Sequence, residues 1–150
     1  MYLPILFSLM MISCSFNMDK DSIETNQHIV ISDIVSMPED IEGCACYLSK
    51  DDSSFEDQKH IFASNNDSTA YMNINNELIK FKMASTTNEP FTFKDHDLIE
   101  EYSSDKYDVT IEAHFEDSTS YESWMFNGKI TVKNKSGEHK EIMFVGACGC

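Results

Sequence analysis

The stretch "YDVTIEAHF", from Tyr107 to Phe115, decides the fold class of this chain. Side chains along a β-strand point alternately to opposite faces of a sheet, so residues two apart share a face. Here one face is apolar and the other polar, which predicts a strand with one buried and one solvated side. The apolar face holds Tyr107, Val109, Ile111, Ala113 and Phe115, and the polar face holds Asp108, Thr110, Glu112 and His114.

A β-hairpin is predicted upstream of this strand, over "AYMNINNELIKFKM" (residues 70–83). Its centre is the pair Asn75–Asn76, and asparagine tolerates the positive φ that a two-residue type I′ turn requires. Such a turn fixes the register of the two strands and sets apolar residues opposite one another. The predicted apolar pairs are Met72 with Ile79 and Ala70 with Phe81.

Two more turns are predicted downstream. The pair Asn127–Gly128 inside "WMFNGKITVKN" is a strong hairpin signal, so the sequence predicts a turn there. The next connection, "NKSGEH", must hold an odd number of loop residues for the apolar sides of its two strands to face one core. A three-residue loop with Gly137 in the left-handed region meets that condition.

Short β-branched and aromatic runs fill the rest of the chain from residue 28 onwards, and only "SSFEDQ" indicates a helical turn. We expect an all-β fold of about seven to nine short antiparallel strands, either a sandwich or a closed or partly closed barrel, with its first and last strands adjacent. "STTNEPFTFKDH" is predicted to be a long loop. The remaining predicted strands are "IVISDIV", "CACYLS", "KHIFAS" and "DLIEEYS".

The N-terminus begins with "MYLPILFSLMMIS", which carries no side-chain charge and is too short to span a bilayer about 30 Å thick. It is typical of the apolar region of a secretory signal. The residues "MISC", Met11 to Cys14, resemble the lipobox of bacterial lipoproteins. That resemblance covers residues 1–14 only and implies a diacylated Cys14 as the new N-terminus, with Ser15 directing the protein to the outer membrane. An ordinary signal peptide followed by an unmodified thiol is the alternative.

These features divide the chain into a signal peptide (residues 1–13), a lipidated cysteine with a flexible tether (14–27) and one β domain (28–150). The tether is predicted because "SFNMDKDSIETNQ" is polar and lacks periodicity. We therefore expect a protein of the cell envelope that is held to a membrane, and more narrowly to the outer membrane, through Cys14.

The chain is strongly acidic, with a formal net charge of −15 and lysine as its only strongly basic residue type. We do not expect this chain to bind nucleic acid, because its negative charge would repel phosphate groups and it has no arginine to read a base. A basic protein, a polyamine or Ca²⁺ fits this charge as a partner. A solvated surface that only keeps the protein in solution is the alternative.

Four cysteines form two Cys-x-Cys pairs about a hundred residues apart, Cys44 with Cys46 and Cys148 with Cys150. Each pair lies on one face of its strand, and adjacency of the first and last strands would bring all four sulfurs together. Two disulfides of unspecified connectivity are one interpretation, since an exported protein meets an oxidising compartment. A thiolate site for Zn²⁺ or Cu⁺ is the second, and a redox-active thiol pair is the third.

Other candidate sites are weaker. Asp95 and Asp97 are weak candidate ligands for a cation. Trp124 and Phe126 form a candidate contact surface, and core packing or an edge cover is the alternative for these two residues. No nucleophile–base motif or phosphate-binding glycine loop occurs. We therefore expect a non-catalytic lipoprotein whose acidic β domain binds a protein or supports structure and holds no cofactor. Small-ligand or metal binding through the Cys-x-Cys pairs is the alternative.

Overall fold

The computed structural model describes residues 28–65, 68–87, 97–120 and 122–150, with only the backbone of residues 119 and 120. This part of the chain forms one short helix and nine strands. The helix α1 spans Asp52–Glu56 and is capped by the Asp51 side chain, which accepts a hydrogen bond from the Ser54 amide at 2.7 Å. The strands are β1 (Ile31–Ser32), β2 (Ala45–Ser49), β3 (Phe62–Asn65), β4 (Thr69–Ile74), β5 (Glu77–Thr86), β6 (Leu98–Ser103), β7 (Tyr107–Ser120), β8 (Ser123–Asn134) and β9 (His139–Gly149).

Strands β2 to β9 form a closed, antiparallel, eight-stranded barrel, and β1 is an additional strand beside β4. Each strand from β2 to β9 pairs with its neighbours in sequence, and the pairing of β2 with β9 closes the barrel. The predicted all-β antiparallel fold with adjacent first and last strands is confirmed. Of the two predicted architectures, the barrel is the one that forms. We call the pairing of β2 with β9 the seam.

Alternation along the strands separates a filled interior from the outer surface. On β7, Tyr107, Val109, Ile111 and Ala113 are buried as predicted. Large aromatic residues from other strands complete the interior. Those with at most 2% exposure are Phe62, Phe81, Tyr102, Phe126 and Phe144. Because eight strands leave an interior that side chains can fill, these rings occupy the space that a wider barrel would leave open.

A second, smaller apolar cluster lies outside the barrel wall. Ile34 and Ile41 pack over the outer face of β2, β3 and β4, where they bury Ala45, Ala63 and Tyr71. The segment that carries the two isoleucines is tied down by its backbone and side chains: the Ile34 amide donates to the His60 carbonyl at 2.7 Å, and the Tyr71 hydroxyl donates to Asp40 at 2.8 Å. The predicted strand "IVISDIV" is therefore only two residues long, because the chain leaves β4 after Ser32 to cover this face.

Two predicted turns are confirmed. Asn75 and Asn76 have φ values of 53° and 62°, which suit a type I′ turn. The predicted pairs Met72–Ile79 and Ala70–Phe81 form in that register. In the loop between β8 and β9, the Asn134 amide donates a hydrogen bond to the Glu138 carbonyl at 2.9 Å, so three residues lie between the bonded pair. Gly137, one of the three, has a φ of 97°. The predicted three-residue loop with Gly137 in the left-handed region is therefore confirmed.

The predicted hairpin at Asn127–Gly128 is wrong, because β8 runs without interruption from Ser123 to Asn134. Gly128 faces the interior and pairs with Ala113 on one side and Phe144 on the other. A Cβ atom at this position would overlap the carbonyl oxygen of Glu112. The glycine therefore permits close approach of two strands rather than a turn.

Replacement of Gly128 by alanine should destabilise the barrel, since the added methyl group can fit only if β7 and β8 separate. We expect a loss of about 2 kcal/mol in the free energy of unfolding, measured by chemical denaturation. Thr131→Ala on the outer side of the same strand is the matched control, with an expected change below about 1 kcal/mol. Equal stability of the Gly128→Ala variant and the native chain would contradict this role of the glycine.

Candidate functional site

The seam brings the two Cys-x-Cys pairs together. Cys46 on β2 lies directly opposite Cys148 on β9, and the same register brings Cys44 opposite Cys150. Their sulfur atoms lie at disulfide distance in the pairs Cys46–Cys148 and Cys44–Cys150, with 4.0 Å between the Cα atoms of each pair. Four cysteines allow three connectivities. The structure has the one in which the two disulfides lie next to each other and both cross the seam.

The two disulfides differ in exposure. Cys46 and Cys148 are 6% and 5% exposed and belong to the main apolar core, so we call their bond the inner disulfide. Cys44 precedes β2 and is half-buried, whereas Cys150 follows β9 and is exposed. We call their bond the outer disulfide, and the end of the barrel that carries it the cysteine end. The opposite end, where α1 connects β2 to β3, is the helix end.

The inner disulfide alone explains most of the stabilisation that a cross-link can give. It joins residues 102 positions apart, and closing a loop of about 100 residues is worth about 4.7 kcal/mol in loop-closure entropy. The outer disulfide spans 106 positions, but with the inner bond in place it closes only a small additional ring. Stability therefore accounts for one of the two bonds.

Thiolates are the cysteine form that binds Zn²⁺ or Cu⁺, and the sulfurs of a disulfide carry no such charge. The predicted metal site would require reduction of both bonds and stays a hypothesis. Among the residues that the structure describes, no group of three or more His, Cys, Asp or Glu side chains could hold a metal ion.

A small void lies inside the barrel next to the inner disulfide. Its volume suffices for about one water molecule. Apolar side chains form most of its wall, and Glu100 is the ionisable residue among those that line it. The lining residues are Cys46, Leu48, Phe62, Leu98, Glu100, Ile111, Ala113, Phe126, Phe144 and Cys148.

Glu100 belongs to a polar group in the apolar interior. It is 8% exposed, and its Oε2 atom accepts a hydrogen bond from the Tyr102 hydroxyl at 2.8 Å. Ser64, on β3, is also buried, and its side chain forms a hydrogen bond with the Tyr102 side chain. Burial raises the pKa of Glu100, and the hydrogen bond from Tyr102 offsets only part of that effect. Burial, followed by the charge of Glu100, likewise raises the pKa of Tyr102.

Glu100 is not among the sequence-predicted site residues, although the sequence carries a signal for it. In β6, Leu98, Glu100 and Tyr102 occupy alternate positions and therefore share a face. The apolar residues on either side of Glu100 place a carboxyl group on the inward side of the strand. A charged residue between two apolar residues on the inward face of a strand is the sequence signal for such a buried polar group.

A second polar pair lies at the helix end. The Ser49 hydroxyl and the Nδ1 atom of His60 are 2.9 Å apart, and the imidazole packs against the rings of Tyr47 and Phe55. Burial lowers the pKa of His60, and the negative charge of Asp33 opposes this effect. Ser49 has no exposed surface, so its hydroxyl cannot reach a substrate. The pair satisfies buried polar atoms beside α1.

The two acidic residues predicted as cation ligands have different outcomes. Asp95 lies outside the described residues. Asp97 is in the described part of the chain, where its carboxylate accepts a hydrogen bond from the Phe115 amide at 3.0 Å and lies 3.0 Å from Nδ1 of His114. These contacts connect the start of β6 to β7, so Asp97 holds the chain beside β7.

The predicted contact surface at Trp124 and Phe126 is not present as predicted. Because β8 is continuous, Phe126 faces the interior with 1% exposure and belongs to the core. Trp124 is half-buried and packs against the same core, opposite Cys148. The core alternative therefore describes Phe126, and Trp124 lies at the edge of the interior at the cysteine end.

The chain matches no protein-family model, no curated protein and no solved structure. Within the described ranges, no helix is long and apolar enough to cross a membrane. The predicted signal peptide, Cys14 and the tether precede residue 28 and lie outside the described residues.

Replacing Glu100 by glutamine should stabilise the barrel at high pH. The folded state holds this carboxyl group with a raised pKa, so its ionisation costs stability as the pH rises above the unfolded value of about 4.3. Below that value both states are protonated and the cost is absent. We expect Glu100→Gln to gain on the order of 1 kcal/mol in unfolding free energy at pH 8 and nothing at pH 4.

Glu101→Gln is the matched control for this measurement. Glu101 is exposed on the outer side of β6, where it accepts a hydrogen bond from the Ser85 hydroxyl at 2.6 Å. Its replacement should change the unfolding free energy by less than about 0.5 kcal/mol at both pH values. A gain for Glu100→Gln that is the same at pH 4 and pH 8 would show that ionisation of Glu100 is not its cause.

Proposed function

We propose that this chain is an exported lipoprotein of the cell envelope that is anchored through acyl chains on Cys14, with Ser15 directing it to the outer membrane. Its acidic barrel acts without catalysis as a binding or structural module with a basic protein partner. The observation that supports this function best is the filled interior. The void beside the inner disulfide has room for about one water molecule, and large side chains fill the interior around it, so the described outer surface is the better candidate for contact with a larger partner.

The charge of the outer surface supports a basic partner. Six of the lysines already form ion pairs with carboxylates of the same chain. They are Lys50, Lys59, Lys80, Lys106, Lys129 and Lys135. The full chain has a formal net charge of −15, so its field attracts cations and accelerates encounters with a basic protein.

Small-ligand binding inside the barrel is the second candidate function, and it is favoured by Glu100 beside the void. A buried carboxyl group in an apolar wall could bind a small polar molecule. The void limits such a ligand to about the size of water, unless the lining side chains move. Zn²⁺ or Cu⁺ at the four cysteines would require the reduced form.

The lipid anchor is tested by expressing the full chain in a bacterial host supplied with an alkyne-tagged fatty acid. We expect label on the native chain, recovered with the membranes. A Cys14→Ala variant should be unlabelled and soluble, because it lacks the thiol that accepts the acyl chain. Ser15→Ala, which keeps Cys14, is the control and should retain the label. Label or membrane association in the Cys14→Ala variant would contradict the anchor.

Partner binding is tested on the soluble Cys14→Ala variant with egg-white lysozyme as a basic probe protein. Binding should weaken strongly between 0.05 and 0.5 M NaCl, as measured by interferometry, because salt screens exposed charges beyond about 10 Å at 0.1 M. Two charge-removal variants locate the surface: Asp52→Asn with Glu56→Gln at the helix end, and Glu116→Gln with Asp117→Asn toward the cysteine end. Binding that is independent of salt would contradict an electrostatic partner surface.

A further inference from the structure

The two disulfides are chemically the same but differ in access to solvent. Thiol–disulfide exchange begins when a thiolate attacks a disulfide sulfur, so the attacked sulfur must be reachable from outside. Cys150 of the outer disulfide is exposed, and Cys44 is half-buried. Both sulfurs of the inner disulfide belong to residues that are at most 6% exposed. An external thiolate can therefore reach the outer bond and not the inner one while the barrel is folded.

Contacts other than the outer disulfide also hold the seam together. Cys44 and Cys150 lie just beyond the ends of β2 and β9, whereas the paired residues of the seam run from Ala45–Gly149 to Ser49–Val145. The inner disulfide lies within that ladder and closes the same long loop. The Cys150 amide also donates to the Glu122 carbonyl at 2.9 Å, which holds the end of β9 next to β8 without any contribution from sulfur. These contacts do not involve the outer bond, so we expect the barrel to stay closed when that bond is reduced.

From these observations we propose that the outer disulfide, Cys44–Cys150, is a two-electron exchange site for an external dithiol, and that the inner disulfide is the structural bond that keeps the barrel folded in both redox states. The presence of two adjacent bonds, of which stability requires one, is thereby explained. This inference is independent of the lipid anchor and of the basic partner.

The exchange proceeds in two steps. A thiolate of the dithiol attacks the sulfur of the exposed residue Cys150, a mixed disulfide forms, and Cys44 leaves as a thiolate that takes up a proton. The second thiol of the dithiol, as its thiolate, then attacks the dithiol sulfur that is bonded to Cys150. Cys150 leaves as a thiolate and takes up a proton. The dithiol is oxidised to a disulfide, and the outer bond is reduced to two thiols, so two electrons and two protons are transferred.

The test is native-state reduction of the full chain carrying Cys14→Ala, which leaves four cysteines. The folded protein is incubated with dithiothreitol, samples are quenched with N-ethylmaleimide, and intact mass and peptide mapping locate the adducts. We expect a species with two adducts, on Cys44 and Cys150, that forms at least about tenfold faster than any adduct on Cys46 or Cys148. The far-ultraviolet circular dichroism spectrum should stay unchanged while that species accumulates.

A Cys44→Ala/Cys150→Ala variant is the matched control, since it lacks the outer bond and keeps the inner one. It should fold, give the native spectrum and acquire no adduct during the time that reduces the outer disulfide of the parent chain. Failure of this variant to fold would overturn the proposal, because the outer bond would then be structural. Simultaneous reduction of both bonds, earlier reduction of the inner bond, or no adduct without denaturant would overturn it as well.

Discussion

Closure of the seam is the constraint on which the rest of the structure depends. Every other strand pairing in the barrel joins neighbours in sequence, and most can form through a local hairpin. The seam instead joins residues about a hundred positions apart, so it bears the largest loss of chain entropy. Without it, β2 and β9 would each expose an unpaired edge and the interior would open along one side. The inner disulfide acts at this pairing, where a cross-link offsets the greatest entropic cost.

Closure also determines the chemistry of the interior. Eight strands form a barrel narrow enough to be filled by its own side chains, and the rings of Phe62, Phe126 and Phe144 meet around the void. Glu100 ends in this apolar region because its strand alternates strictly, so its carboxyl group depends on Tyr102 for a hydrogen bond. The barrel thus carries one polar group whose ionisation costs stability, because burial raises the pKa of the Glu100 carboxyl group.

How much of this could be read from the sequence depended on whether a local signal had a competing explanation. Alternation in β7 and the turn at Asn75–Asn76 were read correctly, because apolar pairing and backbone preference favour the same register. The pair Asn127–Gly128 carried the stronger turn signal and still lies within a strand. Gly128 is needed there because the Glu112 carbonyl oxygen on the neighbouring strand leaves no space for a Cβ atom. Such a contact between strands cannot be predicted from a single stretch of sequence.

The same distinction applies to the candidate site. Alternation within each Cys-x-Cys pair, together with adjacency of the first and last strands, was enough to predict that four sulfurs would meet. The connectivity was not predictable, because it depends on which residues of β2 and β9 face each other across the seam. A shift of two residues along the ladder would have paired Cys46 with Cys150 and left Cys44 and Cys148 apart. The difference in exposure between the two bonds follows from the same register.

The positions of the two barrel ends connect the proposed anchor with the proposed exchange site. The described chain begins at the helix end, where Nδ1 of His28 lies 3.5 Å from a carboxylate oxygen of Glu138 in the loop between β8 and β9. If Cys14 carries the lipid, the polypeptide enters the domain at this end. The cysteine end is at the opposite end of the barrel, so the outer disulfide and residue 28, where the proposed tether joins the domain, lie at opposite ends of the described structure. The proposed exchange site therefore does not share its end of the barrel with the entry of the chain.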